Sequence, residues 1–97
     1  MSVSVGIDIG AVSVKAGGLG DPEDRDDLER LVRDGDFAWL PAPRPLLVSR
    51  YRRALGDPLG TAEAMLAAVQ KHVRSVRWDR MLVTGCGARL LQDRWDL

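Results

Sequence analysis

VGIDIGAVSVKAGGLG, residues 5–20, sets a carboxylate into an apolar run and follows it with a glycine, a serine and a lysine. Val3, Val5, Ile7 and Ile9 are apolar at period two, with Ser2, Ser4, Gly6 and Asp8 between them. That alternation, rich in β-branched residues, predicts a strand with one buried face. Gly10 interrupts it and AVSVKAGGL renews it, so the two runs read as a β-hairpin. A carboxylate in a strand is costly unless something cationic waits beside it. Gly10 has no Cβ to hold a ligand off, and the amides of Gly10, Ala11, Val12 and Ser13 are placed to face an anion. Ser13 and Lys15 alternate along the second strand and so share a face. One ligand satisfies all of these residues: a nucleotide whose phosphates reach Asp8 through a Mg2+ that keeps its waters. The competing reading is a hairpin in which Asp8 makes only local turn hydrogen bonds.

Outward from this stretch, GDPEDRDDLERLVRDGD predicts a helix. Asp21 is its cap, Pro22 suits its first position, and Leu28, Leu31 and Val32 form a narrow stripe typical of a surface helix. FAWLPAPRP, with three prolines in five positions, reads as an irregular connector. LLVSRYRR predicts a third strand. DPLGTAEAMLAAVQKHV predicts a helix opened by Asp57 and Pro58, with Leu59, Ala62, Leu66, Val69 and Val73 on one side. DRMLVTGCG predicts a fourth strand ending in a glycine loop, and ARLLQDRW a last helix. The order β-β-α-β-α-β-α, without internal repeats, predicts a single α/β domain with a mixed sheet and helices packed on it.

The 97 residues allow one small core, and 14 basic residues balance 14 acidic ones. This balance argues against nucleic-acid and membrane-surface partners. Locally, Asp21–Asp36 holds eight acids and three bases, whereas Arg44–Arg53 holds four arginines and no acid. These read as two solvated faces, or as an acidic excursion beside a basic strand. A single cysteine excludes an internal disulfide. MSVSVG has neither the charged start nor the apolar run of a secretory leader, and no apolar stretch reaches a membrane span, so a cytoplasmic location is expected.

GIDIGAVSVKA resembles the first phosphate motif of the actin-like ATPase superfamily. Within it, the wording is most similar to the ATPase activators of 2-hydroxyacyl-CoA dehydratases and benzoyl-CoA reductases. VSRYRRALGDPLGTAEAML resembles their third strand and next helix, and MLVTGCGARLL their following strand with its Thr-Gly-x-Gly loop. The resemblance implies a partial ribonuclease H-like lobe over residues 1–97, with the acidic helix and Pro-rich segment at about 21–45 as an insertion. It implies nucleotide-phosphate binding by Asp8, Gly10, Ala11, Val12, Ser13 and Lys15, with Asp8 holding Mg2+ through water. Thr84, Gly85 and Gly87 would shape a loop near the site.

Two departures accompany it. Ala11 and Val12 stand where the family often has hydroxyls, and its second phosphate motif, adenosine motif and cluster cysteines are missing. The resemblance therefore implies an incomplete ATPase, inactive alone, that calls for a second lobe or second copy and a dehydratase or reductase component. Mg-ATP is the implied cofactor, and the family's iron-sulfur cluster is not supported by Cys86 alone. Cys86 reads instead as a small buried hydrophobe. A carbohydrate-kinase-like lobe shares the opening motif, though VTGCGARLL fits the activators better. A non-catalytic protein-interaction module is the third reading. GCGARL lacks the third glycine of a dinucleotide fingerprint, with Leu90 in its place. His72 reads as a helix-end surface residue, and Arg50, Arg52 and Arg53 as a solvated strand face rather than a site for an acidic partner or a CoA phosphate. Trp39, Trp78 and Trp95 are too scattered to form a stacking platform.

Overall fold

Alternation in the first strand becomes a pleat with two unlike faces. The computed structural model describes residues 2–50 and 52–95. Strands β1 (Ser4–Ile9) and β2 (Ser13–Leu19) form the expected antiparallel hairpin, in register from Ile9 opposite Val14 to Ser4 opposite Leu19. Val5, Ile7, Ile9, Val14 and Ala16 are buried on one side of it. Gly6, Asp8, Lys15 and Gly17 take the other side.

Six strands make one mixed sheet. Besides the hairpin it contains β3 (Phe37–Leu40), β4 (Leu46–Ser49), β5 (Arg52–Arg53) and β6 (Leu82–Thr84). The order is β3-β4-β2-β1-β6, with β5 also pairing β2. Among these strands only β6 runs parallel to its neighbour, β1. Three helices, α1 (Arg25–Arg33), α2 (Pro58–His72) and α3 (Ala88–Trp95), lie against one face. Leu28, Leu31, Ala62, Met65, Leu66, Val69 and Leu91 join Val5, Ile7, Ile9, Phe37 and Leu47 in one core. Each of these buried side chains other than Ala62 contributes roughly 1.5–3 kcal/mol by leaving water.

The third predicted strand divides in two. Val48 faces Gly17, but Arg52 faces Val14, so the register moves by one residue between these pairs. The shift interrupts the ladder at Ala16, whose N–H is donated instead to the buried Ser49 hydroxyl at 2.8 Å. Tyr51, inside the predicted strand, lies outside the described residues. The Pro-rich connector is also corrected. Its first part, Phe37–Leu40, is an edge strand on β4, because Phe37 and Trp39 alternate inward while the prolines fall beyond its end.

The predicted acidic helix starts later than the sequence suggests. Pro22–Asp24 is a 3-10 turn, and α1 follows at Arg25. The acidic stretch is largely paired rather than solvated. The Asp24 carboxylate accepts the Asp21 N–H at 2.9 Å and the Ser75 hydroxyl at 2.7 Å. Asp34 meets His72, so that histidine joins the ends of α1 and α2. Asp21 pairs with Arg44 at 3.2 Å and Asp36 with Arg52 at 3.3 Å, the acidic excursion beside a basic strand. At α2, Asp57 caps as predicted, accepting the Gly60 N–H at 2.9 Å.

Replacing Ser49 with alanine should leave the buried Ala16 N–H without a partner. A loss of about 1–3 kcal/mol in urea unfolding is expected, with m unchanged.

Asp27 gives a pH dependence of known sign. Burial pushes its carboxyl up, but the Arg74 N–H (3.2 Å) and the Arg30 and Arg74 guanidiniums outweigh this and hold it below the ordinary value of 3.8. A depressed carboxyl stabilises the fold above its unfolded pKa, and that part is lost as pH falls through the folded value. Asp27→Asn should therefore melt below wild type at pH 7, and the gap should close as pH drops below about 4.

Candidate functional site

Asp8 is exposed near the carboxyl end of β1, on the sheet face that carries no helix. Lys15 stands opposite it on β2 and Thr84 opposite it on β6. Opposed residues keep their Cβ atoms about 5 Å apart on one face, so a carboxylate, an ammonium and a hydroxyl form one row. Asp8 and Lys15 nonetheless form no ion pair with each other or with any other described residue. Both remain available to a third group.

The glycine loop after β6 closes onto this row. Gly85 has φ +94°, and a Cβ there would lie 2.4 Å from the Ile9 carbonyl oxygen and 2.6 Å from Asp8 Oδ1. Gly87 is as tightly placed: its Cβ would meet Ile9 Cγ2 at 2.5 Å. The Gly87 N–H is donated to the Ile9 carbonyl at 2.9 Å, tying loop and strand together. Two segments about 75 residues apart thus meet at one carboxylate. Thr84 and Gly85 stand beside Asp8, and Gly87 packs on the adjoining Ile9.

The hairpin tip departs from its reading in one respect. The Gly10 N–H is donated to the Ser13 carbonyl at 2.9 Å, so it closes the turn and is not offered to an anion. Its Cβ would lie 3.0 Å from that same carbonyl oxygen. Ala11 and Val12 are exposed at the tip, and the Val12 carbonyl accepts the Ala54 N–H at 2.7 Å. Ser13, half-buried, shares the face of Lys15.

Below the polar row the face is nearly bare. Gly6 and Gly17 oppose each other and floor a shallow depression of about 290 Å³, flanked by Leu82 and Val48. Leu82 is 69% exposed. Among the described residues no three His, Cys, Asp or Glu side chains gather into a metal-binding group. A divalent cation at Asp8 would therefore take its other ligands from water and a bound anion, as Mg2+ readily does.

Several readings of single residues change. Cys86 is exposed rather than buried, because the Gly85–Gly87 turn lifts it off the core, with its Sγ 3.8 Å from the Ile9 carbonyl. The arginines do not form one face. Arg52 opposes Val14 and turns to Asp36, whereas Arg53 opposes Ser13 on the site's side of the sheet. The sequence carried no signal for that placement, since it follows from the one-residue shift before β5. Trp39 is not idle either: its Nε1–H is donated to Glu29 at 3.0 Å, and Arg25 stacks on its ring. The side chains of Leu90 and Trp95 lie outside the described residues.

No family model, curated protein or solved structure matches this chain. Among the described residues no helix is long and apolar enough to cross a membrane.

Gly85→Ala tests the closure of the loop on Asp8. The added Cβ meets both Ile9 and Asp8 at a backbone angle unfavourable to alanine. Destabilisation of about 2 kcal/mol or more is expected in urea unfolding, with amide shifts at Asp8 and Ile9 as the loop lifts away.

Proposed function

We propose that this chain is the nucleotide-phosphate-binding lobe of an actin-like ATPase, of the type that activates 2-hydroxyacyl-CoA dehydratases and benzoyl-CoA reductases. The observation that carries the reading is the meeting of Asp8, Lys15 and the Thr84–Gly87 loop at the end of β1. These are the segments that resemble the family's motifs, and they are distant in sequence. The strand order, a leading hairpin extended by a third antiparallel strand and flanked across β1 by a parallel one, supports a ribonuclease H-like lobe.

In this reading the hairpin tip holds the phosphates, Lys15 offsets their charge, and Asp8 orients the waters of a Mg2+ bridging to them. The open face gives no enclosure, so hydrolysis would need a second lobe or second copy to exclude water. A dehydratase or reductase component would then receive the conformational change. A second reading, a non-catalytic interaction module, is favoured by the uncovered face, where Leu82 and Leu40 are exposed.

Calorimetric titration with Mg-ATP separates the two. The ATPase-lobe reading expects saturable heat from wild type and its loss in Asp8→Ala, with the melting temperature kept because Asp8 is exposed. Wild type without heat, or a variant that binds as well, sinks the reading and leaves the interaction module.

A further inference from the structure

We infer that Arg53 is a second cationic contact for the same bound polyphosphate, set beside Lys15 by the pairing of β5 with β2. The inference rests on the phosphate-binding reading and adds a residue that lies outside the resembling phosphate motif.

Arg53 directly opposes Ser13 in an antiparallel ladder, so their Cβ atoms lie about 5 Å apart on one face. Lys15 is two residues along β2 from Ser13, roughly 7 Å away on that same face. Asp8 stands across from Lys15. One end of the open face thus gathers two cations, two hydroxyls and one carboxylate, leaving a positive excess.

Arg53 is exposed, and among the described residues it pairs with no carboxylate. Its neighbour Arg52, on the opposite side of the pleat, is engaged by Asp36 at 3.3 Å. The Arg53 backbone is also held in place. The next residue, Ala54, is buried and donates its N–H to Val12 in the hairpin tip at 2.7 Å. A guanidinium fixed beside an ammonium suits a chain of phosphates, because its planar fork binds two oxygens of one phosphate while the ammonium meets another. The hairpin alone would offer a single cation, and the β5 contact supplies the second.

The test is calorimetric titration of wild type, Arg53→Ala, Arg53→Lys, Arg52→Ala and Lys15→Ala. The probes are Mg-ATP and, without any nucleoside, inorganic tripolyphosphate with Mg2+. Arg53→Ala should weaken both probes by about tenfold or more, the range for one lost charge-assisted contact. It should also flatten the dependence of affinity on salt. Arg53→Lys should fall between the two, and Arg52→Ala should match wild type. If Arg53→Ala binds both probes as wild type does while Lys15→Ala is weakened, the inference fails and the phosphate reading stands. If wild type binds neither probe, the phosphate reading fails and takes the inference with it.

Discussion

Every other feature of this domain depends on the parity of β1, a six-residue strand held antiparallel by β2 on one side and parallel by β6 on the other. Because successive side chains alternate, Val5, Ile7 and Ile9 enter the core together, and Gly6 and Asp8 are necessarily turned out. A slip of one residue would bury Asp8 and expose the three branched residues. Hydrophobic burial on one face therefore fixes a carboxylate on the other. The site is a by-product of the same register that folds the protein.

The two faces have been finished differently. The inner face is closed by three helices, and its supporting polar contacts are satisfied, two of them between segments distant in sequence. Ser49 takes the amide that the shifted ladder leaves, Asp24 holds the turn before α1 to Ser75, and Asp57 caps α2. No buried side-chain nitrogen or oxygen among the described residues lacks a partner. The outer face has no such cover. Its polar groups cluster at the end where β1 meets the glycine loop, and its centre is two opposed glycines beside an exposed leucine. The stabilising contacts and the candidate site thus lie on opposite sides of one layer of sheet.

Much of this was legible in the sequence, and the reasons for the remainder are specific. The hairpin followed from period-two alternation, and α2 from Asp57, Pro58 and its apolar spacing. All are local signals. Phe37–Leu40 is hidden in the sequence because the prolines behind it dominate the composition, although they lie beyond the strand's end and leave its donors to β4 intact. The pairing of the acidic stretch with Arg44, Arg52 and Arg74 depends on chain return and has no local trace. The same holds for Arg53 facing Ser13. For the candidate site, Asp8 and Lys15 could be placed on one face from spacing alone. The approach of Gly85 to Asp8 came instead from matching segments whose spatial meeting no periodicity predicts. Gly10 shows the reverse case: a glycine read as opening the backbone to a ligand spends its amide within the turn.

In the proposed function the end of β1 and the glycine loop act as one phosphate-binding locus. Backbone amide chemical shifts of the labelled protein, recorded with Mg2+ alone and then with Mg-ATP, test it most directly. One shared locus predicts nucleotide-dependent shifts at Asp8, Ala11–Ser13, Lys15 and Gly85–Gly87 together, saturating with a single dissociation constant. Shifts confined to residues away from the end of β1 and the glycine loop, or none at all, would overturn that proposal.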